Sequence, residues 1–439
     1  MPLIEIVDVV QAGHDPQGPL WGSYIDQPRP GRVYDGGAVD TWGWVLGRTL
    51  PAISIEFVHD GRLLRRVPLN VRRPDVSDSF PHVPRAAHGG FRTEIPMVGR
   101  RAEFRIDVRC TLSDGTRVPL GVVIARRRWR DSDDHDLAAR LVSVIIPCFN
   151  QAHYLRDAIE SVRGQTRPHV ETVVIDDGSV DNTVEVARRF PGVRYIRQDH
   201  QGLAAARNTG LRRSNGMYLI FLDADDRLTS HAVESGLAAL DAHLEAAFTS
   251  GRCRWIASDG SPLPTPEHGC APGDHYANLL RTNYTGMPAT VMYRRAVFEV
   301  VLGFDVTPAF RGVEDYELAL RIARQFPICC HDHVVAEYRV RSDSMSRNPA
   351  RMLDSVVRAM QAQRRHVRDS AEHRAAYKAG IRFWRKYYGQ PLVHQLAGDA
   401  QRREWGNVLK DAWALARRYP QGLASILLPG PQRLAESDR

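Results

Sequence analysis

Between residues 142 and 222 the chain alternates short apolar runs with longer segments whose apolar residues recur every three or four positions. No other feature constrains the fold so tightly. The runs at 142–146, 172–175, 193–196 and 218–222 have the length of strands. Between them, Leu155, Ile159 and Val162 share one helical face, and 184–190 and 202–211 read as further helices. Strands apolar on both faces must be covered on both faces, so the pattern predicts an α/β domain with a mostly parallel sheet. In such sheets ligands gather at the carboxyl ends of the strands.

Those ends carry unusual chemistry. The first strand leads into Pro147-Cys148-Phe149-Asn150, the second into Asp176-Asp177-Gly178-Ser179, and the fourth into Asp223-Ala224-Asp225-Asp226. Asp and Asn cap helices and make turns, which accounts for each fragment singly. Capping does not account for an Asp-x-Asp directly after a strand as apolar as 218–222. Crowded carboxylates repel, and the usual remedy is a hard divalent cation with oxygen ligands, Mg²⁺ or Mn²⁺, completed by substrate phosphates. GxxxxGK[ST] is absent and GxGxxG does not follow the first strand, so a diphosphate must be met by metal and Arg rather than by a backbone cradle. Arg207, on the helix before the Asp-x-Asp strand, is placed for that.

The flanks differ. Residues 1–128 show alternating or β-branched runs separated by turn signals such as Asp60-Gly61 and Asp114-Gly115, which predicts a small antiparallel sandwich of about seven strands. Trp21, Trp42 and Trp44 are expected mainly in packing, with sugar stacking as the rival role. Opposite charge blocks near 126–134 place a linker at 129–140. The α/β domain then spans 141–349 and a helical region 350–439, where Met352, Val356, Val357 and Met360 fit one helical face and Trp405, Val408, Leu409, Trp413 and Leu415 suggest another. That last region holds 17 Lys and Arg against 8 Asp and Glu within residues 351–439, while the rest of the chain is near neutral. With Arg382-Phe383-Trp384-Arg385-Lys386-Tyr387-Tyr388 it suits an anionic membrane surface, and equally a helix packed on the α/β domain. No motif supports nucleic-acid binding.

The six Cys (110, 148, 253, 270, 329, 330) show no CxxC spacing, so six reduced thiols are expected, with 329–333 a packed strand rather than a metal site. No window reaches the ~18 apolar residues of a spanning helix. The start MPLIEIVDVV lacks the basic residues of a signal peptide. The expected location is cytoplasmic, peripheral at the inner face of the membrane.

Read in order, the 142–150 strand, Ile175-Asp176-Asp177-Gly178-Ser179, Arg207-Asn208-x-Gly210, Phe221-Leu222-Asp223-Ala224-Asp225-Asp226, Gly303-Phe304-Asp305, Glu314-Asp315-Tyr316-Glu317-Leu318 and Tyr338-Arg339-x-Arg341-x-x-Ser344-x-Ser346 resemble the inverting family 2 glycosyltransferases. The resemblance covers roughly 141–347. It implies a GT-A fold (Rossmann-like) and metal-dependent sugar transfer from a nucleotide-sugar, UDP-linked by expectation, to a saccharide or lipid-linked glycan in cell-surface or exopolysaccharide synthesis. It implies roles as well. Pro147 and Asn150 line the nucleotide pocket, and Asp177 accepts the N3–H of a uracil-like base. Arg207 approaches base and diphosphate, Asp223 orients the ribose or the metal shell, and Asp225 ligates the metal. Asp315 is the general base, with Glu314 orienting hydroxyls beside it.

One position departs from the family pattern. Arg341 stands where a His is common; it cannot ligate a metal, but its fixed charge pairs with phosphate oxygens. Two other readings stand beside transfer. A sugar-nucleotide pyrophosphorylase would carry a Gly-rich basic loop after the first strand. A saccharide-binding protein with a degenerate transferase domain would lack Asp225 or Asp315.

Overall fold

The computed structural model describes residues 2–13, 15–35, 38–84, 86–97, 102–129, 140–266, 269–270, 272–341, 344 and 347–427. It divides into two compact units: 1–135 with the short segments 243–246 and 325–327, and the remainder. The expected linker at 129–140 lies outside the described residues except for Trp129 and Arg140.

In the first unit, strands β1 (Pro2–Gln11), β3 (Val33–Asp35), β5 (Ala52–His59), β6 (Arg62–Pro68), β8 (Glu103–Leu112) and β9 (Arg117–Trp129) form one sheet in the order β3-β1-β9-β8-β5-β6. Strands β2 (Leu20–Gln27), β4 (Ala38–Gly47) and β7 (Gly90–Pro96) form the other, and a short helix α1 (Pro74–Ser79) precedes β7. Every ladder is antiparallel. Ile4, Phe57, Ile106 and Val123 from one sheet and Ile25, Val45, Phe91 and Ile95 from the other share a single core, which makes this a sandwich. Asp60 and Gly61 both take left-handed φ, +49° and +76°, as a tight hairpin turn requires. Trp21 and Trp44 pack around a small second cluster of Leu46, Val76, Val83 and Ala86. The arginines at 126–128 belong to β9, not to a connection, because alternate burial continues to Trp129.

The second unit is built on a sheet of β10 (Val142–Cys148), β11 (Val170–Asp176), β12 (Arg194–Arg197), β13 (Tyr218–Phe221), β14 (Arg227–Leu228), β15 (Phe248–Ile256), β16 (Pro262–Leu263), β17 (Val291–Arg294) and β18 (Cys329–Arg339). The order is β12-β11-β10-β13-β17-β15-β18-β14, with β16 on β15. The first four strands are parallel neighbours, as is the β15–β18 pair. However, β13–β17, β17–β15, β15–β16 and β18–β14 are antiparallel. The sheet is therefore mixed rather than mostly parallel. An apolar run reports burial on both faces but not direction, so the sequence pattern cannot tell the two apart.

Helices α2 (Ala152–Arg163), α3 (Thr183–Arg188), α4 (Leu203–Arg213), α5 (Ala232–Ala242), α6 (His275–Arg281), α7 (Phe298–Val301) and α8 (Glu314–Ala323) accompany the sheet. Then come α9 (Pro349–Gln363), α10 (Ala371–Gln401), α11 (Trp405–Arg418) and α12 (Pro420–Leu427). In α9 the expected face of Met352, Val356, Val357 and Met360 is buried. In α11 it is not: Trp405, Leu409 and Trp413 stand 60%, 72% and 63% exposed, and only Leu415 of that set is buried.

Cys270 and Cys330, 60 residues apart, form a disulfide with Cα atoms 5.6 Å apart. This corrects the expectation of six thiols. The pairing is made when the segment after β16 is laid beside the start of β18, which no sequence spacing reveals. Cys110, Cys148, Cys253 and Cys329 are not in disulfides.

Candidate active site

Because β10, β11 and β13 run parallel and in register, their carboxyl ends open on one edge of the sheet. A cleft of about 1130 Å³ lies there, lined by Pro147, Asp177, Arg207, Asp223, Asp225, Glu314, Asp315 and Arg341. These are eight of the nine residues singled out in the sequence. The ninth, Asn150, is not in the lining. It sits at φ +52°, donates its N–H to Ser179 Oγ (3.0 Å) and accepts from the Val180 N–H at 2.9 Å, tying the turns after β10 and β11 together.

Asp177 is buried, and donors already converge on its two carboxylate oxygens. The Gln198 amide (2.7 Å) and the Gln201 N–H (2.9 Å) reach Oδ1, the Gly202 N–H (2.8 Å) reaches Oδ2, and His200 Nδ1 lies 2.9 Å from Oδ2. A carboxylate offers about four acceptor directions, so this one is occupied in shaping the loop that starts α4. Base recognition at Asp177 would require one of those donors to give way. Beside it, Phe149 and His200 stack with ring centroids 4.1 Å apart, and both line the cleft. The sequence offered no sign of this pair, since the rings come from two different strand ends.

The Arg207-Asn208-x-Gly210 motif has a local physical reason. A Cβ on Gly210 would lie 2.2 Å from Ile145 Cγ2, so glycine is what lets α4 lie against β10. The Asn208 amide exchanges two hydrogen bonds of 2.8 Å with the backbone N–H and C=O of Phe304, anchoring the segment after Gly303. Arg207 is thereby aimed at the strand end. It is buried, lies 5.4 Å over the Phe304 ring, and donates to Asp223 Oδ1 at 2.7 Å. Burial alone would lower its pKa, but the charges of Asp223, Glu314 and Asp315 hold it above the ordinary value. Those three carboxylates are therefore within electrostatic reach of one guanidinium.

At the Asp-x-Asp turn, burial first and the Asp223 charge second push Asp225 above the usual carboxylate range, although Arg341 opposes them from 2.9 Å. Asp226 is pushed further by burial and its two neighbours; its Oδ1 accepts the Arg339 N–H at 2.8 Å. It holds the end of β18. Asp223 and Asp225 thus offer two mutually repelling oxygen donors at a cleft edge. That set suits a hard divalent cation whose remaining ligands are phosphate and water. Among the described residues no cluster of three His, Cys, Asp or Glu holds a metal unaided.

Glu314 and Asp315 open α8. The N-cap position belongs to Val313, which makes no side-chain cap, so capping does not explain the acidic pair. The Glu314 carboxylate accepts the Gly312 N–H at 2.9 Å, fixing it on its own loop. Asp315 is pushed up to about 6, chiefly by burial and with Glu314 and Asp223 adding to it, while Arg207 pulls the other way. A carboxyl at that value is ionised at neutral pH yet basic enough to take a proton.

Two further linings were not foreseen as site residues. The Cys270–Cys330 bridge reaches the cleft, and so do Phe383, Trp384, Tyr387 and Tyr388 of α10. The aromatic run was noticed in the sequence but read as packing or membrane contact. Of the Tyr-Arg-x-Arg motif, Ser346 lies outside the described residues.

Residues 143–302 match the family described as Glycosyl transferase family 2. TuaG of Bacillus subtilis, a glycosyltransferase named for teichuronic acid biosynthesis, is 29% identical over 47% of this chain and 82% of its own length. An uncharacterized glycosyltransferase of Rickettsia felis is 31% identical over 45% of this chain, and the match spans only 33% of that relative. Among solved structures, residues 1–349 of Staphylococcus aureus TarS in complex with UDP superpose with a TM-score of 0.46 at 19% identity, covering 63% of this chain and 81% of that one.

Proposed function

With residues 143–302 forming a family 2 glycosyltransferase domain, we propose that the chain moves a sugar from a nucleoside-diphosphate donor to a hydroxyl of a saccharide or lipid-linked saccharide, with inversion. One arrangement carries this reading. Asp315, raised to about 6, shares a cleft with two arginines, each already paired to one carboxylate of an Asp-x-Asp turn. Transfer needs a base for the incoming hydroxyl and fixed positive charge for the departing diphosphate, and these residues supply both.

In this mechanism Asp315 takes the acceptor hydroxyl proton as the oxygen attacks the anomeric carbon. The nucleotide leaves from the opposite face, and that single displacement inverts the centre. Arg341 meets the leaving diphosphate, while Arg207 holds Asp223 in place. Glu314, tied to Gly312, orients rather than reacts. The base of the nucleotide rests against the Phe149–His200 stack, beside the loop that Asp177 organises. A divalent ion, Mn²⁺ or Mg²⁺, would be held by Asp223 and Asp225 and would add charge stabilisation at the phosphates.

Polysaccharide synthesis is the proposed setting, in line with the name of TuaG. No helix among the described residues is long and apolar enough to cross a membrane. The peripheral contact is assigned to α11, whose Trp405, Leu409 and Trp413 form an exposed stripe beside Lys410 and Arg417. At the cytoplasmic face of a membrane the Cys270–Cys330 bridge would meet reductant, so its state there is part of the proposal.

The test is a screen of nucleotide-sugars for nucleotide release with and without Mn²⁺, followed by calorimetric titration of Asp225→Ala with UDP and Mn²⁺. Metal-dependent UDP binding is expected to disappear in the variant. Undiminished affinity removes Asp225 from the metal shell, and the absence of release from every donor removes the transferase reading.

A further inference from the structure

The cleft has a wall that the transfer chemistry leaves unused. Phe383 and Tyr387, one turn apart on α10, lie nearly parallel, with ring centroids 5.6 Å apart and 23° between planes. They are 42% and 57% exposed, and both line the cleft that contains Asp315. Behind them Trp384 and Tyr388 stack at 5.8 Å and 12°. Trp384 is buried; its indole N–H donates to the Tyr316 hydroxyl at 3.2 Å, and that hydroxyl donates to the Leu279 carbonyl at 2.6 Å. Tyr316 directly follows Asp315, so the aromatic wall is bolted to the turn that carries the base.

The mounting is close and specific. A Cβ on Gly380 would lie 1.8 Å from the Leu280 carbonyl oxygen, so this glycine is what brings α10 against the end of α6. Ser370 caps α10 through the His373 N–H (3.2 Å), and His373 Nε2 lies 2.7 Å from an Asp274 oxygen at the start of α6. Burial and the charge of Asp315 both raise the pKa of the Tyr388 phenol, in keeping with that proximity.

Two flat rings left half in water, on a rigid helix and inside a cleft, invite an apolar surface. They are too few for a protein partner and too exposed for core packing. A pyranose chain has what they lack: faces of C–H groups that stack on aromatic rings, and a rim of hydroxyls that stays wet. We propose that Phe383 and Tyr387 form a saccharide platform that receives the acceptor chain, presenting its terminal hydroxyl toward Asp315. The acceptor role rests on the transferase reading; the stacking itself does not.

The experiment uses the full chain, with cellotetraose, maltotetraose and chitotetraose as probes in saturation-transfer NMR and calorimetry, and UDP with Mn²⁺ titrated separately. At least one oligosaccharide is expected to bind. Phe383→Ala and Tyr387→Ala should each weaken it about tenfold, the loss typical of a contact that dominates an interface. Tyr387→Phe, which keeps the ring, should bind like the wild type, and UDP affinity should not change. Oligosaccharide affinity unmoved by both alanine variants overturns the platform, as does failure of all three probes to bind the wild type. Loss of binding to phosphatidylglycerol vesicles with saccharide affinity intact overturns it in favour of a membrane contact. A chain that binds saccharide through these rings but does not bind UDP keeps the platform and discards the transferase reading.

Discussion

At the scale of single residues, the environment of Asp315 sets both what it can do and what it costs. Its raised value predicts that transfer falls as pH drops through about 6, because only the ionised carboxylate accepts a proton. Asp315→Asn should keep donor affinity and lose about 10²–10⁴-fold in turnover, the usual contribution of a positioned base. The same shift carries a stability sign. A carboxyl whose folded pKa lies above its unfolded value contributes stability below pH ~4, and that contribution is lost as pH rises through about 6. Asp315→Asn should therefore melt higher than the wild type at pH 7.5, with the gain shrinking as the pH is lowered to 4. Melting curves across that range check it, and a variant that melts lower at pH 7.5 would mean the buried charge is better compensated than its neighbours indicate. The other charged site residues were legible because each sits within a few positions of a strand end or helix start. Phe149–His200 was not, since stacking joins residues 51 positions apart.

At the scale of elements, the helix–sheet contact at Gly210 gives a prediction whose sign is unusual. Gly→Ala inside a helix ordinarily stabilises by about 1 kcal/mol through propensity. Here the new methyl would stand 2.2 Å from Ile145 Cγ2, and overpacking costs about 1–3 kcal/mol. Gly210→Ala should thus lower the melting temperature and displace Arg207, three residues back on α4. A neutral or stabilising result in thermal denaturation would show that α4 can shift away from β10 without penalty. Periodicity found these helices and strands because burial of one face is written locally. Direction was not written: β17 reads as the same kind of apolar segment as β13 but runs against it, and β15 in turn runs against β17. The apolar positions of α11 misled in a related way, because spacing marks a stripe without saying what covers it.

At the scale of the whole molecule, every residue lining the cleft belongs to the second unit. Arg140 belongs there too, its guanidinium bonded to Asp241 at 2.9 and 2.6 Å and to the Tyr218 hydroxyl at 2.9 Å. A chain beginning at residue 136 is therefore expected to retain donor hydrolysis at close to the full rate, measured as nucleotide release. Complete loss in a truncated chain whose circular dichroism shows it folded would assign the sandwich a part in the reaction. Removal of residues from 350 onward should behave differently, since α9 and α10 supply part of the cleft wall, including Met352, Val356 and Trp384.

Local order was enough to determine the strand–helix alternation, the Asp-x-Asp turn, the acidic start of α8 and the family they resemble. Each depends on neighbours within one element or one turn, where burial and charge repeat at short range. Tertiary structure alone decided which way the inner strands run, that Cys270 meets Cys330, that Asp177 is saturated by its own loop, and that the α10 aromatics line the cleft at the strand ends. The reason is the same in each case: these are contacts between segments tens to hundreds of residues apart, brought together by packing whose partners no single stretch of sequence specifies.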